Sequence, residues 1–267
     1  MRDRFMAHLV VNLKFLARNR VLLGFALVLL LASGVMLLPA MFIDTASNRF
    51  EALKHVAETL HRAAGVITAG LGLVVLWSHR RARTIKLIAT KPGSFDIWVV
   101  SVFAAAIAFG AAAHAAVAVL VFVLSVVWDV PYQIGFVYLS AEWFAQSAIV
   151  LAYLTPLAAM CHPILAILAL AFVNDWTVHA VGVTLTAAVE AGHGSVVLEV
   201  AQRIVSTLYY IVPTFAPFQS KTQVVNETLR AATIDWRYLL ATLAYALLAS
   251  AFGYVATVVV LRRRQLS

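Results

Sequence analysis

The chain has 267 residues, of which 63% are hydrophobic and only 12% are charged. A soluble domain usually carries about 25% charged residues, so this composition excludes an ordinary water-soluble domain and indicates a membrane protein. The apolar stretches are long and unbroken, as membrane helices need, whereas a β-barrel would show short segments of alternating polarity. The sequence therefore predicts an all-α integral membrane protein with a single transmembrane domain over residues 1–267.

The formal charge of +8 is concentrated beside the apolar stretches. Residues 1–20, 78–96 and 262–267 contain thirteen of the twenty Lys and Arg residues. Because basic flanks of membrane spans stay in the cytoplasm, both termini are predicted to be cytoplasmic, in a bacterial inner membrane. The charge forms no single soluble basic face, which argues against nucleic-acid binding. Cys161 is the one cysteine, so no internal disulfide can form.

The first elements in chain order are an interfacial helix and two spans. Residues 1–20 carry apolar side chains at helical spacing and are predicted to lie in the membrane interface. The first span is predicted over 21–43. A loop of mixed charge, 44–61, is expected outside, and the second span follows over 62–77. Within this span, Gly70-Leu71-Gly72 would allow another helix to approach closely.

The middle of the chain is predicted to cross the membrane three more times. The third span is expected over 97–128 as one long tilted helix, and the fourth over 137–160. We place a break at Cys161-His162-Pro163 because proline favours the first turn of a helix. The fifth span is therefore predicted over 163–189.

The last part of the chain begins with a polar-rich outside segment. It covers residues 190–236 and contains an amphipathic piece over 196–212, which predicts a re-entrant or interfacial element before the last span. The sixth span is predicted over 238–261. Six crossings return both basic ends to the same side of the membrane, as the charge distribution requires.

Recognisable catalytic motifs are absent from the sequence. It contains no G-x-x-x-x-G-K-[ST] phosphate loop, no H-E-x-x-H, no G-x-S-x-G and no paired cysteines for zinc. We therefore assign no catalytic residues, no metal ligands and no cofactor to this chain, and we expect it not to be an enzyme.

The basic segment after the second span is the most informative part of the sequence. In permeases of the type-2 ATP-binding-cassette exporter family, the second span runs into a stretch read as Gly-Thr-x-x-x-Leu-Leu-Ala-Thr-Pro. This chain resembles that pattern, although Arg83 replaces its glycine and Lys91 precedes its proline. The segment that resembles the family's coupling helix comprises Arg83, Thr84, Ile85, Lys86, Leu87, Ile88, Ala89, Thr90 and Pro92.

The resemblance covers most of the chain and implies a function. It implies that the chain is a permease subunit that forms a translocation pathway as a dimer, either with itself or with a sister permease, within the lipid bilayer. The coupling helix would bind one of two separate ATPase subunits, which would carry ATP and magnesium. It does not indicate the transported substrate.

Polar residues within the predicted spans are the candidates for a pathway. Asn174, Asp175 and His179 lie in the predicted fifth span, with the last two one helical turn apart. Two interpretations are possible: Asp175 and His179 form a pair within the helix that faces a neighbouring helix, or these residues line the pathway. His114 is expected to be packed and hydrogen-bonded in the third span. Glu142 is expected to meet water or headgroups near the outer end of the fourth.

Two other functions remain open at this stage. The chain could be a membrane scaffold or assembly subunit that does not transport. It could also be an intramembrane enzyme built around Asp175, His179 or His114. A polar path through a dimer interface would favour the permease, as would an adjacent gene for a phosphate-loop ATPase.

Overall fold

The computed structural model describes residues 2–18, 20, 24, 46–81, 94–172, 175–190, 196–211 and 236–266. All regular secondary structure in these residues is helical. The helices in these residues are α1 Arg2–Ala17, α2 Ala46–Arg81, α3 Ser94–Val127, α4 Gly135–Met160, α5 Pro163–Phe172, α6 Asp175–Ala188, α7 Val196–Ile211 and α8 Trp236–Leu266. The fold class is therefore all-α, as predicted.

Four helices in the described part of the chain are long and apolar enough to cross a membrane. Their apolar stretches are Arg49–Trp77, Phe95–Val127, Gly135–Met160 and Trp236–Arg263. They correspond to the predicted second, third, fourth and sixth spans. Nearly all of the predicted first span, 21–43, lies outside the described residues.

The second predicted span belongs to a longer helix than expected. α2 begins at Ala46 and has 36 residues, so the prediction of a loop is wrong for residues 46–61. Phe50, Leu53 and Ala57 are almost fully buried there, because they face the end of α3 and the start of α4. Charged residues, including the buried Lys54, are interspersed with these apolar ones, which is why the segment resembles a loop in composition.

The core of the bundle lies between α2, α3, α4 and α8. One large apolar cluster joins Leu71 and Leu76 of α2 to Trp98 of α3 and Leu151 of α4. A second cluster joins α4 to α8 largely through small residues, including Ala145, Ala152 and Ala246. Close approach of membrane helices depends on such small side chains, since lipid provides no hydrophobic drive for helix association.

Glycines set two of these helix contacts. A Cβ at Gly72 would overlap the Leu151 side chain, so the predicted close approach is confirmed at this residue but not at Gly70, where nothing lies within 4 Å. A Cβ at Gly253 of α8 would overlap the backbone carbonyl of Ala152 on α4. At Gly253 only glycine fits without a shift of the neighbouring helix, whereas at Gly72 a larger residue would require the Leu151 side chain to move.

The predicted break before Pro163 is present, but the predicted fifth span is not one described helix. α4 ends at Met160 and α5 begins at Pro163. Residues 163–189 contain α5, with 10 residues, and α6, with 14. Neither reaches the roughly 20 residues that a crossing needs. α6 packs mainly against α7, which begins at Val196 in the predicted amphipathic segment.

Candidate functional site

A buried chain of polar side chains connects three of the long helices. His61 of α2 and His114 of α3 face each other with their Nδ1 atoms 3.0 Å apart. The His114 Nε2 lies 2.9 Å from the Ser147 Oγ, and the His61 Nε2 lies 2.9 Å from the Ser140 Oγ. All four ring nitrogens are therefore at hydrogen-bond distance from a partner.

The two imidazole rings meet edge to edge. Their planes are 15° apart and their centroids are 5.2 Å apart. This centroid separation exceeds the Nδ1–Nδ1 distance by about two ring radii, so the two nitrogens lie on the line that joins the ring centres. An in-plane contact of this kind directs one N–H at the lone pair of the other ring, which is hydrogen-bond geometry and not stacking.

The surrounding helices exclude solvent from this contact. His61 and His114 are 1% and 2% exposed, and Ser147 is 3% exposed. Gly65 allows the close approach, since a Cβ there would lie 2.9 Å from the Ser147 Oγ. His114 is 18 residues from Asp96, or about 27 Å along the helix, close to the full ~30 Å thickness of the hydrocarbon core.

A groove of about 590 Å³ lies beside Ser147, between α2, α4 and α5. Its polar end is formed by Arg62, Trp143, Gln146 and Ser147, and the rest of its lining is apolar. The Arg62 guanidinium lies 5.7 Å from the centre of the Trp143 ring, and it also lies 4.0 Å from the Glu58 carboxylate. Arg62 and Trp143 therefore place a charged group and an aromatic ring at the polar end of the groove.

Polar contacts join α1, α3 and α8 at the opposite end of the bundle. The buried Asn12 of α1 donates a hydrogen bond of 2.9 Å to the Ser101 Oγ of α3. The Arg262 Nη2 of α8 donates to both carboxylate oxygens of Asp96, at 2.7 and 2.6 Å. The basic N-terminal helix, the start of α3 and the basic end of α8 therefore meet at one end of the bundle.

The described residues include two of the predicted pathway residues, Asp175 and His179, both on α6. The predicted coupling helix, residues 83–92, lies outside the described residues between α2 and α3. Asn174 also lies outside them. Asp175 begins α6, but its side chain is not among those described. His179 is exposed and lines a groove between α6 and α7 with Thr186 and Ser206.

Two polar residues singled out from the sequence, His114 and Glu142, are buried in the bundle. His114 is packed and hydrogen-bonded, as predicted. The expectation for Glu142 is wrong, because its side chain is 0% exposed. It lies one turn before Ala145, on the side of α4 that packs against α8. His61, Ser140 and Ser147 were missed, since their roles depend on which helices are neighbours.

The described residues contain no group of three or more His, Cys, Asp or Glu side chains that could hold a metal ion. No model of a known protein family matches the chain, and no curated protein matches its sequence. The described residues define an all-helical protein with four helices that could cross a membrane.

Proposed function

We propose that this chain is the membrane permease subunit of an ATP-driven exporter of the type-2 ATP-binding-cassette kind. It would form the translocation pathway as a dimer in the bacterial inner membrane. Two separate ATPase subunits would bind its coupling helix and supply the energy from ATP and magnesium. The substrate is not part of this proposal.

The observation that carries the proposal is the meeting of basic segments at one end of the bundle. The Asn12–Ser101 and Arg262–Asp96 contacts bring α1 and α8 to the start of α3. The segment that resembles the coupling helix joins that start to the end of α2. An ATPase in the cytoplasm needs such a surface on the cytoplasmic side, and clustered Lys and Arg residues favour that side. This geometry supports a docking face there.

The coupling segment has an apolar face that suits docking into a cleft of another protein. Ile85 and Ile88 are three residues apart and would share that face on a helix. Charges placed there would be buried against the ATPase at a cost of several kcal/mol each, because a buried unpaired charge is strongly disfavoured. We therefore expect Ile85→Asp with Ile88→Asp to release an ATPase that is encoded beside this chain and co-expressed with it.

The measurement is the amount of ATPase that co-purifies with the tagged full-length chain. Ile85→Leu with Ile88→Leu is the matched control, since it keeps the apolar face, and should retain the complex. Recovery of folded membrane protein is compared by size-exclusion chromatography. A complex that survives the double Asp substitution would show that the docking assignment is wrong. A wild-type chain that binds no ATPase would favour the scaffold function instead.

Asn174, Asp175 and His179 remain the proposed pathway residues. What supports them is their sequence position, together with the exposure of His179 on the groove between α6 and α7. Ionisable groups within membrane segments most often line water-filled routes or pair with each other, because lipid does not solvate them.

A further inference from the structure

The serine hydroxyl groups at the two ends of the buried polar chain already use their protons. The Ser140 Oγ donates to the Phe136 carbonyl at 2.8 Å, and the Ser147 Oγ donates to the Trp143 carbonyl at 2.7 Å. A hydroxyl group has a single proton to donate. With both protons on the backbone carbonyls, the two serine oxygens act as acceptors towards the imidazole rings, and both histidine Nε2 atoms then carry a proton.

The contact between the two rings requires a third ring proton, on one of the two Nδ1 atoms. Two Nδ1 atoms at 3.0 Å attract each other only when one of them is an N–H donor. The full set of contacts therefore uses three ring protons, whereas two neutral imidazoles carry two. We infer that His61 and His114 form a binding site for one additional proton, held between their Nδ1 atoms.

The gain and loss of this proton change the hydrogen bonds in a defined way. Water in the groove beside Ser147 delivers the proton as hydronium, and the proton returns there when it leaves. Without it, one serine must turn its O–H from its backbone carbonyl to a bare Nε2. With a second extra proton, both Nδ1 atoms become N–H groups and the contact between α2 and α3 is lost. The site therefore holds one proton and no more.

The geometry distinguishes a proton from a metal ion. Zinc–nitrogen bonds are about 2.0–2.1 Å long, so a metal on the line between the two Nδ1 atoms would hold them about 4 Å apart. The observed 3.0 Å is instead the distance of a hydrogen bond between the two nitrogens.

The charged residues within two helical turns, in sequence, of the pair and its serine partners are Lys54, Glu58 and Arg62 on α2 and Glu142 on α4. α3 contributes no ionisable side chain between Asp96 and its end other than His114. These groups contribute two positive and two negative formal charges, so the pair is not placed in a strongly charged field of one sign.

The pair lies about 27 Å from Asp96 along α3, nearer the end of this helix than its start. Protonation would strengthen the contact of α2 with α3, because every hydrogen bond in the set is then made. This inference does not depend on transport, since it concerns the resting bundle alone.

The test is nitrogen NMR of the full-length chain, labelled with ¹⁵N-histidine, in lipid bilayers. The chain has eight histidines, and His61→Gln and His114→Gln identify the signals of the pair by their loss. As the pH is lowered from about 8 to 4, a range extended below that of an exposed histidine because burial disfavours the charged form, we expect the protonated ring nitrogens of the pair to increase from two to three. A coupling across the Nδ1–H–Nδ1 bond should persist in the three-proton state.

Two results would overturn the inference. In the first, one Nε2 atom remains unprotonated over the whole pH range while the Nδ1–Nδ1 coupling persists. The pair would then be a neutral hydrogen bond between two helices that takes up no proton. In the second, the coupling disappears as the first proton binds, so that the proton is not shared.

Serine variants provide the controls. Ser147→Ala removes the acceptor of the His114 Nε2–H and should abolish the uptake of the third proton, whereas Ser147→Thr keeps a hydroxyl group and should retain it. Ser101→Ala is the matched control, since this buried serine of α3 bonds Asn12 and the Trp98 carbonyl and touches neither histidine. Uptake that is unchanged in Ser147→Ala would show that the serine contacts do not define the site.

Discussion

Gly253 is the residue at which α8 comes closest to the backbone of α4. The Ala152 carbonyl that faces it belongs to a helix backbone and cannot rotate away as a side chain would. Gly253→Ala should therefore force the two helices apart and destabilise the protein by about 1–3 kcal/mol, the usual cost of overpacking. The measurement is the thermal unfolding midpoint of the purified protein in detergent.

Gly70→Ala is the control for this prediction. Nothing lies within 4 Å of a Cβ at Gly70, so the variant should unfold close to the wild-type temperature. Equal losses in the two variants would mean that helix propensity or detergent, and not contact with Ala152, determines the effect.

At the scale of elements, the extension of α2 over residues 46–61 is the main departure from the predicted architecture. Ala57 is 1% exposed and packs in the cluster that contains Val121 and Trp128 of the α3 end. Proline at this position would remove a helix hydrogen bond and collide with the preceding turn, at a cost of about 3 kcal/mol. We expect Ala57→Pro to lower the unfolding midpoint strongly and to abolish amide-exchange protection in the first half of α2.

Ala46→Pro is the matched variant for the same helix. Ala46 is the first residue of α2, and proline is tolerated in the first turn because that turn has no hydrogen bond to lose. In the Ala46→Pro variant, the amide-exchange protection of α2 should stay close to that of the wild-type protein. A normal midpoint for Ala57→Pro would instead indicate that this segment is a loop in the membrane-embedded protein.

At the scale of the whole molecule, the distribution of Lys and Arg residues predicts which end of the bundle faces outward. We predict that residues 44–61 and 190–236 are outside, while 1–20, 78–96 and 262–267 are cytoplasmic. The starts of α2 and α3 lie at opposite ends of the bundle, since the two helices pack antiparallel.

Single cysteines at Ser47, Ser94 and Thr222, in a chain with Cys161 replaced by serine, provide the measurement. An impermeant thiol reagent added to intact cells should label the first and third positions and leave the second unlabelled until the membrane is opened. Labelling at position 94 in intact cells, or none at 47 and 222, would reverse the predicted orientation.

Much of this architecture follows from local chemistry, and the rest depends on contacts between helices. The break before Pro163 was predictable because proline restricts its own position in a helix. The sequence did contain a pattern that favours a helix over 46–61, since Phe50, Leu53, Ala57 and Leu60 recur at helical spacing, but the mixed charges of this segment obscured it. No sequence pattern predicts the pairing of His61 with His114, because residue spacing along one helix does not reveal the register of its neighbour.

The length of α2 has a mechanical consequence. Its 36 residues contain no proline and form one rod of about 54 Å, which begins at Ala46 and ends at Arg81, beside the predicted coupling segment. A rod of this length acts as a lever: each degree of tilt about one end displaces the other by about 1 Å. A rotation of a few degrees at the basic end is thus enough to shift the far end by roughly half the pitch of a helical turn, without any bending.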